Sequence, residues 1–386
     1  MYPNLYYAFK DLFGAELPFL KIFQTFGFFV AIAFLAAAYV LTVELRRRER
    51  LGWLQGVQET IETGKAATAP ELVWNGVLGF LLGFKVIGAL LDWGTVSQDV
   101  QGFVMSGQGN WIAGIVLGAG LVWLKYNDKK KKATAAPKKE TIVVMPHQRV
   151  PDFTVMAAIA GLIGAKIFHN LENWNDFVQD PWGSLISFSG LTFYGGLIVA
   201  AIVIIRYANK KHINTFHLID SAAPALMLAY GVGRMGCHFA GDGDWGINNP
   251  RPNPFSWLPN WAWAYNYPHN VVNEGIPIPG CDGKYCHMLA VPVYPTALYE
   301  IIVCILLFLV LWSIRKKITI PGVIFGIYLM LNGIERFFIE KIRVNTRYSI
   351  FGFHPTQAEI ISSLMVIGGA VLIWYSRKVY SAKTTS

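Results

Sequence analysis

Long apolar runs, separated by short polar or basic stretches, recur along the chain near residues 20–44, 72–92, 110–126, 153–171, 184–206, 216–240, 294–314, 320–340 and 356–376. About twenty apolar residues is the length a helix needs to cross the hydrocarbon core of a bilayer, and a helix satisfies its backbone polar groups within its own segment. The pattern therefore predicts an all-α polytopic membrane protein of about nine transmembrane helices. The first residues, MYPNLYYAFKDLFGAELPF (1–19), are aromatic and interrupted. They lack the basic start, short apolar core and small-residue cleavage site of a removable leader, and read as an amphipathic arm at the membrane interface.

Basic clusters follow the first run (Arg46 to Arg50), the third (Lys129 to Lys132), the fifth (Arg206 to His212), the seventh (Arg315 to Lys317) and the ninth (Arg377, Lys378). Cytoplasmic loops carry the excess of Lys and Arg. Placing every cluster inside makes each odd run cross inward without skipping a run, with the N-terminus outside and the C-terminus cytoplasmic. The expected organisation is an arm (1–19), a first core helix with its loop (20–64), a membrane hairpin (65–127), a solvated basic linker (128–151), a helical core (152–376) with an external loop (242–293), and a tail (377–386). One basic stretch, EKIRVNTRYS from Glu340, falls on the outer side against the rule, which calls for another reason, such as an anionic ligand.

Composition agrees. Of 386 residues, 54% are hydrophobic and only 15% charged, with a mean hydropathy of +0.39, against about 25% charged in a soluble domain. The net charge of +9 sits in clusters beside apolar runs, so membrane topology explains it and nucleic acid is not an expected partner. Four cysteines suggest neither a zinc cluster nor a disulfide-built fold. Cys281 and Cys286, in CDGKYC on the outer side, are expected either to bridge or to remain two loop thiols.

Ionisable residues inside apolar runs are costly and so are functional candidates. In NGIERFFIEKIRVN, Arg336, Glu340 and Arg343 are spaced to share one helix face. Two guanidiniums against one carboxylate leave surplus positive charge that suits phosphate; a buried salt bridge locking two helices is the plainer alternative. Arg234 lies in GVGRMG, where Gly231, Gly233 and Gly236 permit close helix approach. Snorkelling would explain Arg234 alone, but two runs deliver arginines to one membrane side, which favours a shared anionic site. His238, Asp242 and Asp244 read either as site residues or as solvated loop chemistry. Tyr194 precedes two glycines and reads equally as a packing residue. YPTALYE, through Thr296 and Glu300, and HPTQAEI from His354 read as helix starts.

Taken together, these motifs resemble the prolipoprotein diacylglyceryl transferases of bacterial inner membranes. The family's Gly-Arg-x-Gly-Asn signature, running on to Asn-Gly-Glu and a closing Gly, corresponds to Gly233, Arg234, Gly236, Cys237, Ala240, Asp242 and, after one extra residue, Gly246. Its His-Gly-Gly-Leu resembles Tyr194 to Leu197, its His-Pro-Ser-Gln-Leu-Tyr-Glu resembles YPTALYE, and its Arg-Phe-x-x-Glu-x-x-Arg resembles Arg336 to Arg343. Order and spacing match over 20–50 and 152–376, and residues 65–150 have no counterpart in the seven-helix family. The chain departs from the pattern at Cys237, Ala240, Asp242 and Tyr194, and at Phe26, where the family has a tyrosine. The resemblance implies transfer of a diacylglyceryl group from phosphatidylglycerol to the lipobox cysteine of a prolipoprotein, within the bilayer and without metal or soluble cofactor. Arg234, Arg336 and Arg343, with Gly236 and Gly246, are then expected to bind substrate. A thiol of pKa about 8.5 needs a base to become a nucleophile. His238 is the expected acceptor with Tyr194 orienting substrate, and Asp242 or Glu340 competes for the role. A silent relative that binds anionic lipid or escorts lipoproteins is the other reading, motivated by the missing Asn and His. A transporter would show interrupted helices in paired halves, and no such pairing is visible.

Overall fold

A computed structural model describes the chain except residues 64–65, 97–101, 104–105, 133–137, 187–191, 346–347, 350–353 and 385–386. Gly190 and Leu191 before the Tyr194 motif, Thr346 and Arg347 of the outer basic stretch, and the middle of the basic linker fall outside the described residues. Among the described residues the structure is dominated by helices: α1 (Leu5–Phe13), α2 (Thr25–Arg50), α3 (Ala69–Leu81), α4 (Trp111–Lys132), α5 (Val150–Glu172), α6 (Phe193–Lys210), α7 (Thr215–Ala240), α8 (Thr296–Ile314), α9 (Val323–Glu340) and α10 (Gln357–Thr384). Helices α2 to α10 coincide with the apolar runs. Among the described residues six helical stretches, Thr25–Arg50, Ala69–Leu91, Pro146–Glu172, Phe193–Lys210, Thr296–Ile314 and Gln357–Tyr380, are long and apolar enough to cross a membrane. Large apolar side chains such as Leu35, Phe338 and Trp374 face outward from their helices, as a lipid-facing surface requires and a water-facing one does not. The chain is thus an all-α, multi-pass membrane protein.

The chain divides into two compact units, one of Met1, 25–57 and 144–386, the other of 2–24 and 58–143. In the second, α3 continues through a π-helical turn, Leu82–Ile87, to Leu91. A Cβ on Gly79 would lie 2.8 Å from Gly118 Cα, so the glycine lets α3 and α4 meet backbone to backbone. At the π turn Lys85 donates to the carbonyls of Phe103, Ser106 and Gln108. The expected basic linker is more ordered than its composition suggests. Its lysines extend α4 to Lys132, and β2 (Lys138–Val144) pairs with β1 (Val57–Thr63).

In the larger unit α2 packs along α7, α7 along α8, α9 against α10, and α5 against α6. Glu44, fully buried in α2, accepts from Arg47 (2.6 and 2.9 Å) and Arg48 (3.2 Å) of its own helix and from Arg315 (3.1 Å) at the end of α8. Arg48 also lies 3.6 Å from Asp220 of α7. The Asp220 carboxylate accepts the backbone N–H groups of Gly322 (2.9 Å) and Phe325 (2.8 Å), which holds the start of α9. One ionic knot therefore fixes one end of four helices. The candidate site lies at their other end.

Candidate active site

Glu300, one turn into α8, is completely buried. Its Oε1 accepts the Tyr230 hydroxyl at 2.8 Å and Arg336 Nη1 at 3.1 Å. Its Oε2 accepts Nε and Nη2 of Arg234, and Arg343 Nη1 lies 3.9 Å away. YPTALYE does start a helix, as read, but the capping role expected of Thr296 and Glu300 is corrected here. The residue before α8 is Pro295, whose side chain has no hydrogen-bonding group to cap with, and Thr296 Oγ1 donates instead to the Asp244 carbonyl at 3.0 Å. HPTQAEI does start a helix as read, since Thr356 and Glu359 exchange reciprocal side chain to backbone bonds at 3.0 and 3.2 Å.

The three predicted arginines meet. Arg234 and Arg336 come from α7 and α9. Arg343 lies beyond the end of α9 at Glu340, so it does not share the helix face with Arg336 as its spacing suggested. An isolated bridge to Gly246 carries Arg343 back to the site, where Nη2 donates to Asp244 Oδ1. Arg234 Nη1 donates to Asp244 Oδ2. Arg336 pairs with Glu340 at 2.9 Å, and Asn345 donates to the same carboxylate at 2.6 Å. The surplus positive charge expected from sequence is therefore absent from the paired cluster. Three guanidiniums face three carboxylates, Glu300, Asp244 and Glu340. Glu335, which sequence reading passed over, is a further buried carboxyl whose two oxygens have no hydrogen-bond partner. Its position beside Arg336 in an apolar run was the signal for it.

Among the glycines, Gly236 abuts Phe26 of α2, where a Cβ would lie 3.2 Å from the Phe26 backbone. A Cβ on Gly246 would lie 2.5 Å from the Ile342 carbonyl. Both positions permit close packing of the segments that carry the arginines. Gly233, expected to allow helix contact, faces open space. Gly195 and Gly196 let α6 meet α5, with Cβ positions 2.8 and 2.7 Å from the Gly164 and Gly161 carbonyls. Tyr194 lies near enough to Arg336 for the two to interact electrostatically.

The candidate proton acceptors separate. His238 is buried, and its Nδ1 lies 3.3 Å from the Tyr267 hydroxyl in an aromatic corner with Tyr265. Asp242 instead bonds to the Cys237 thiol and lies within the electrostatic reach of Arg234 and Asp244. Burial, and then the Asp244 charge, push the Asp242 carboxyl above the usual carboxylate range. Burial would push Asp244 up as well, but the Arg234 and Arg343 guanidiniums outweigh it and hold that carboxyl well below the usual range. Among the described residues, Cys237, Asp242 and Asp244 place donor atoms within 4.8 Å of one another. Asp244 is already taken by two guanidiniums, a setting that disfavours a metal cation.

The loop after α7 forms a packed lid over this end. Trp245, Tyr267, Leu289 and Val293 share a small core. Buried Asn270 donates to the carbonyls of Tyr267, Glu274 and His287 and accepts from Glu274 N–H. Cys281 and Cys286 are joined by a disulfide, which settles the alternatives left by their spacing.

The family model for prolipoprotein diacylglyceryl transferase matches residues 112–375. A phosphatidylglycerol–prolipoprotein diacylglyceryl transferase of Staphylococcus haemolyticus is 30% identical over 239 residues, covering 62% of this chain and 77% of that protein. The enzyme of the same name from Clostridium novyi is 29% identical over 239 residues, 62% of this chain and 83% of its own. The one from Streptococcus pyogenes (serotype M5) is 27% identical over 272 residues, 70% of this chain and 91% of its own. With more than half its length matched and its arginines gathered in one buried site, this chain belongs to the prolipoprotein diacylglyceryl transferase family.

Proposed function

We propose that the protein transfers the diacylglyceryl group of phosphatidylglycerol to the thiol of a prolipoprotein lipobox cysteine, an early step of bacterial lipoprotein maturation. The convergence of Arg234, Arg336 and Arg343 on one partly closed site carries this reading. Guanidiniums held in low dielectric stabilise a phosphate best as charge develops on it. The thiolate forms a C–S bond to the glycerol carbon of the lipid, the C–O bond to phosphate breaks, and glycerol phosphate leaves as an anion. The thiol proton passes to a base. Asp242 suits that part, being near the arginines and raised toward neutrality, which matches a base to the working pH. His238, set apart beside Tyr267, is the competing acceptor. Tyr194, near Arg336, orients substrate. The silent-relative reading is not favoured.

In the orientation that basic clusters dictate, nine spans run with the N-terminus outside and the C-terminus cytoplasmic. The site then opens toward the outer leaflet of the inner membrane, and signal-peptide-bearing prolipoproteins reach it there. Incubating the purified protein with phosphatidylglycerol and a lipobox peptide should yield a thioether-linked diacylglyceryl peptide. A folded protein that makes none would overturn the assignment.

A further inference from the structure

Glu300 occupies Nε and Nη2 of Arg234, which leaves the Nη1 edge of that guanidinium turned toward the loop. Asp244 sits on that edge and reaches Arg343 Nη2 with its other oxygen. One small carboxylate thus bridges two arginines as a phosphate would, through two oxygens. A second, independent feature points to a ligand at the same place. Arg343 is nine-tenths buried, yet its Nε and Nη1 have no hydrogen-bond partner. Buried guanidinium donors are costly to leave unmade, and two unsatisfied donors, Nη1 with Glu300 Oε2 no nearer than 3.9 Å, describe a seat built for more oxygens than Asp244 supplies.

Asp244 is also the member of the cluster able to leave. Glu300 is wholly buried in α8, whereas the Asp244 side chain is 34% exposed and follows Gly243 at φ +96° in a loop. Its backbone is tied by two bonds to its own peptide groups, from Thr296 Oγ1 to the carbonyl and from the N–H to Asp242 Oδ1 at 3.2 Å. Neither bond holds the carboxylate on the arginines. Asp244 lies in the stretch between Asp242 and Gly246, which is one residue longer than the family signature.

We propose that Asp244 is a built-in anion that occupies the Arg234–Arg343 phosphate seat in the absence of substrate and is displaced when the lipid phosphate binds. This rests on the transferase reading for the identity of the ligand, and adds a self-competing residue to it. The seat stays neutral and assembled between turnovers, and entry of the head group exchanges one anion for another without leaving a bare pair of buried charges.

The test compares wild type, Asp244→Asn and Arg343→Gln for binding of dispersed phosphatidylglycerol, free glycerol phosphate, and diacylglycerol, which lacks the phosphate. Removing the competitor should tighten phosphatidylglycerol about tenfold, as expected when the binding-competent state is a minor one. Diacylglycerol should not respond. If the seat recognises phosphate as such, glycerol phosphate tightens in parallel; an effect confined to the lipid assigns the seat to the membrane-borne head group. In an Arg343→Gln background the gain from Asp244→Asn should vanish. Unchanged or weaker phosphatidylglycerol binding by folded Asp244→Asn overturns the proposal. Hydrogen exchange on wild type decides independently of how the variant folds. Phosphatidylglycerol should speed exchange in residues 242–246 as Asp244 is released, and slower exchange there overturns the proposal. A wild type that binds phosphatidylglycerol with this behaviour but forms no thioether leaves the displaced anion standing and removes the transferase reading.

Discussion

Glu300 shows how one residue can organise three others. With no solvent around it, its two oxygens must be paid in hydrogen bonds, and they take Arg234, Arg336 and Tyr230. Glu300→Gln removes one partner of buried ion pairs and should cost about 3–5 kcal/mol of stability, read as a lowered thermal unfolding midpoint in detergent, together with loss of transfer. Arg234→Lys should also abolish most activity, because a single ammonium cannot hold Glu300 on one edge and face Asp244 on another; turnover at the wild-type rate would refute this. Asp242 gives a pH prediction. Its carboxyl is raised, so a base role requires the rate to fall as pH drops through a value above the ordinary carboxylate range. Asp242→Asn should remove that acid limb along with most of the rate, while His238→Gln keeps the limb. The opposite pattern would move the proton to His238. Asp244 has the reverse sign. Its depressed value means that its ionic contribution to stability is complete above the unfolded carboxylate value of about 3.9 and is lost only as pH falls through the lower folded value.

At the level of elements, close backbone approach sets where the arginines stand. Gly246→Ala would drive a Cβ toward the Ile342 carbonyl, a backbone atom with little room to move. About 1–3 kcal/mol of destabilisation is expected, with reduced transfer because Arg343 pairs with this segment. Gly233→Ala, which meets nothing within 4 Å, should be neutral in the same melting and transfer assays. The contrast also shows what a sequence conveys. The long helices were legible because apolar length is a property of single segments. The arginines were legible because charge within such segments is costly. Glu300 was misread because its local pattern imitates a capped helix start, whereas its role depends on α7 and α9 packing beside it. Arg343 was placed on a helix that had already ended, and charge balance was misjudged because Asp244 and Glu300 reach the arginines only through tertiary contacts. The strand β2 was hidden by its lysines, although it ends in the β-branched run Thr141 to Val144, which favours a strand.

Across the whole molecule, the larger unit ties α7, α8 and α9 at both ends, with Glu44 of α2 and Asp220 at one and Glu300 and Asp244 at the other. The apolar flanks between need no polar partners in lipid, so specificity of packing falls to the buried charges at the ends. The two ionic ends differ in the basic residues beside them, which is what the proposed orientation rests on. The Glu44 end adjoins Arg46 to Arg50 and Arg315 to Lys317, which the charge rule places inside. In the proposed orientation the Glu300 end lies outside with the disulfide-bearing loop, in an oxidising compartment where the Cys281–Cys286 bridge would persist. Single introduced cysteines can test this, because Cys237 and Cys304 are buried and the other two are bridged. In intact cells a membrane-impermeant thiol reagent should label Trp257→Cys, at a side chain 77% exposed in the loop after α7. Lys130→Cys and Lys317→Cys should label only after the membrane is opened. Labelling of both lysine positions in intact cells, with Trp257→Cys protected, would invert the orientation and put the arginine site on the cytoplasmic face, away from translocated prolipoproteins.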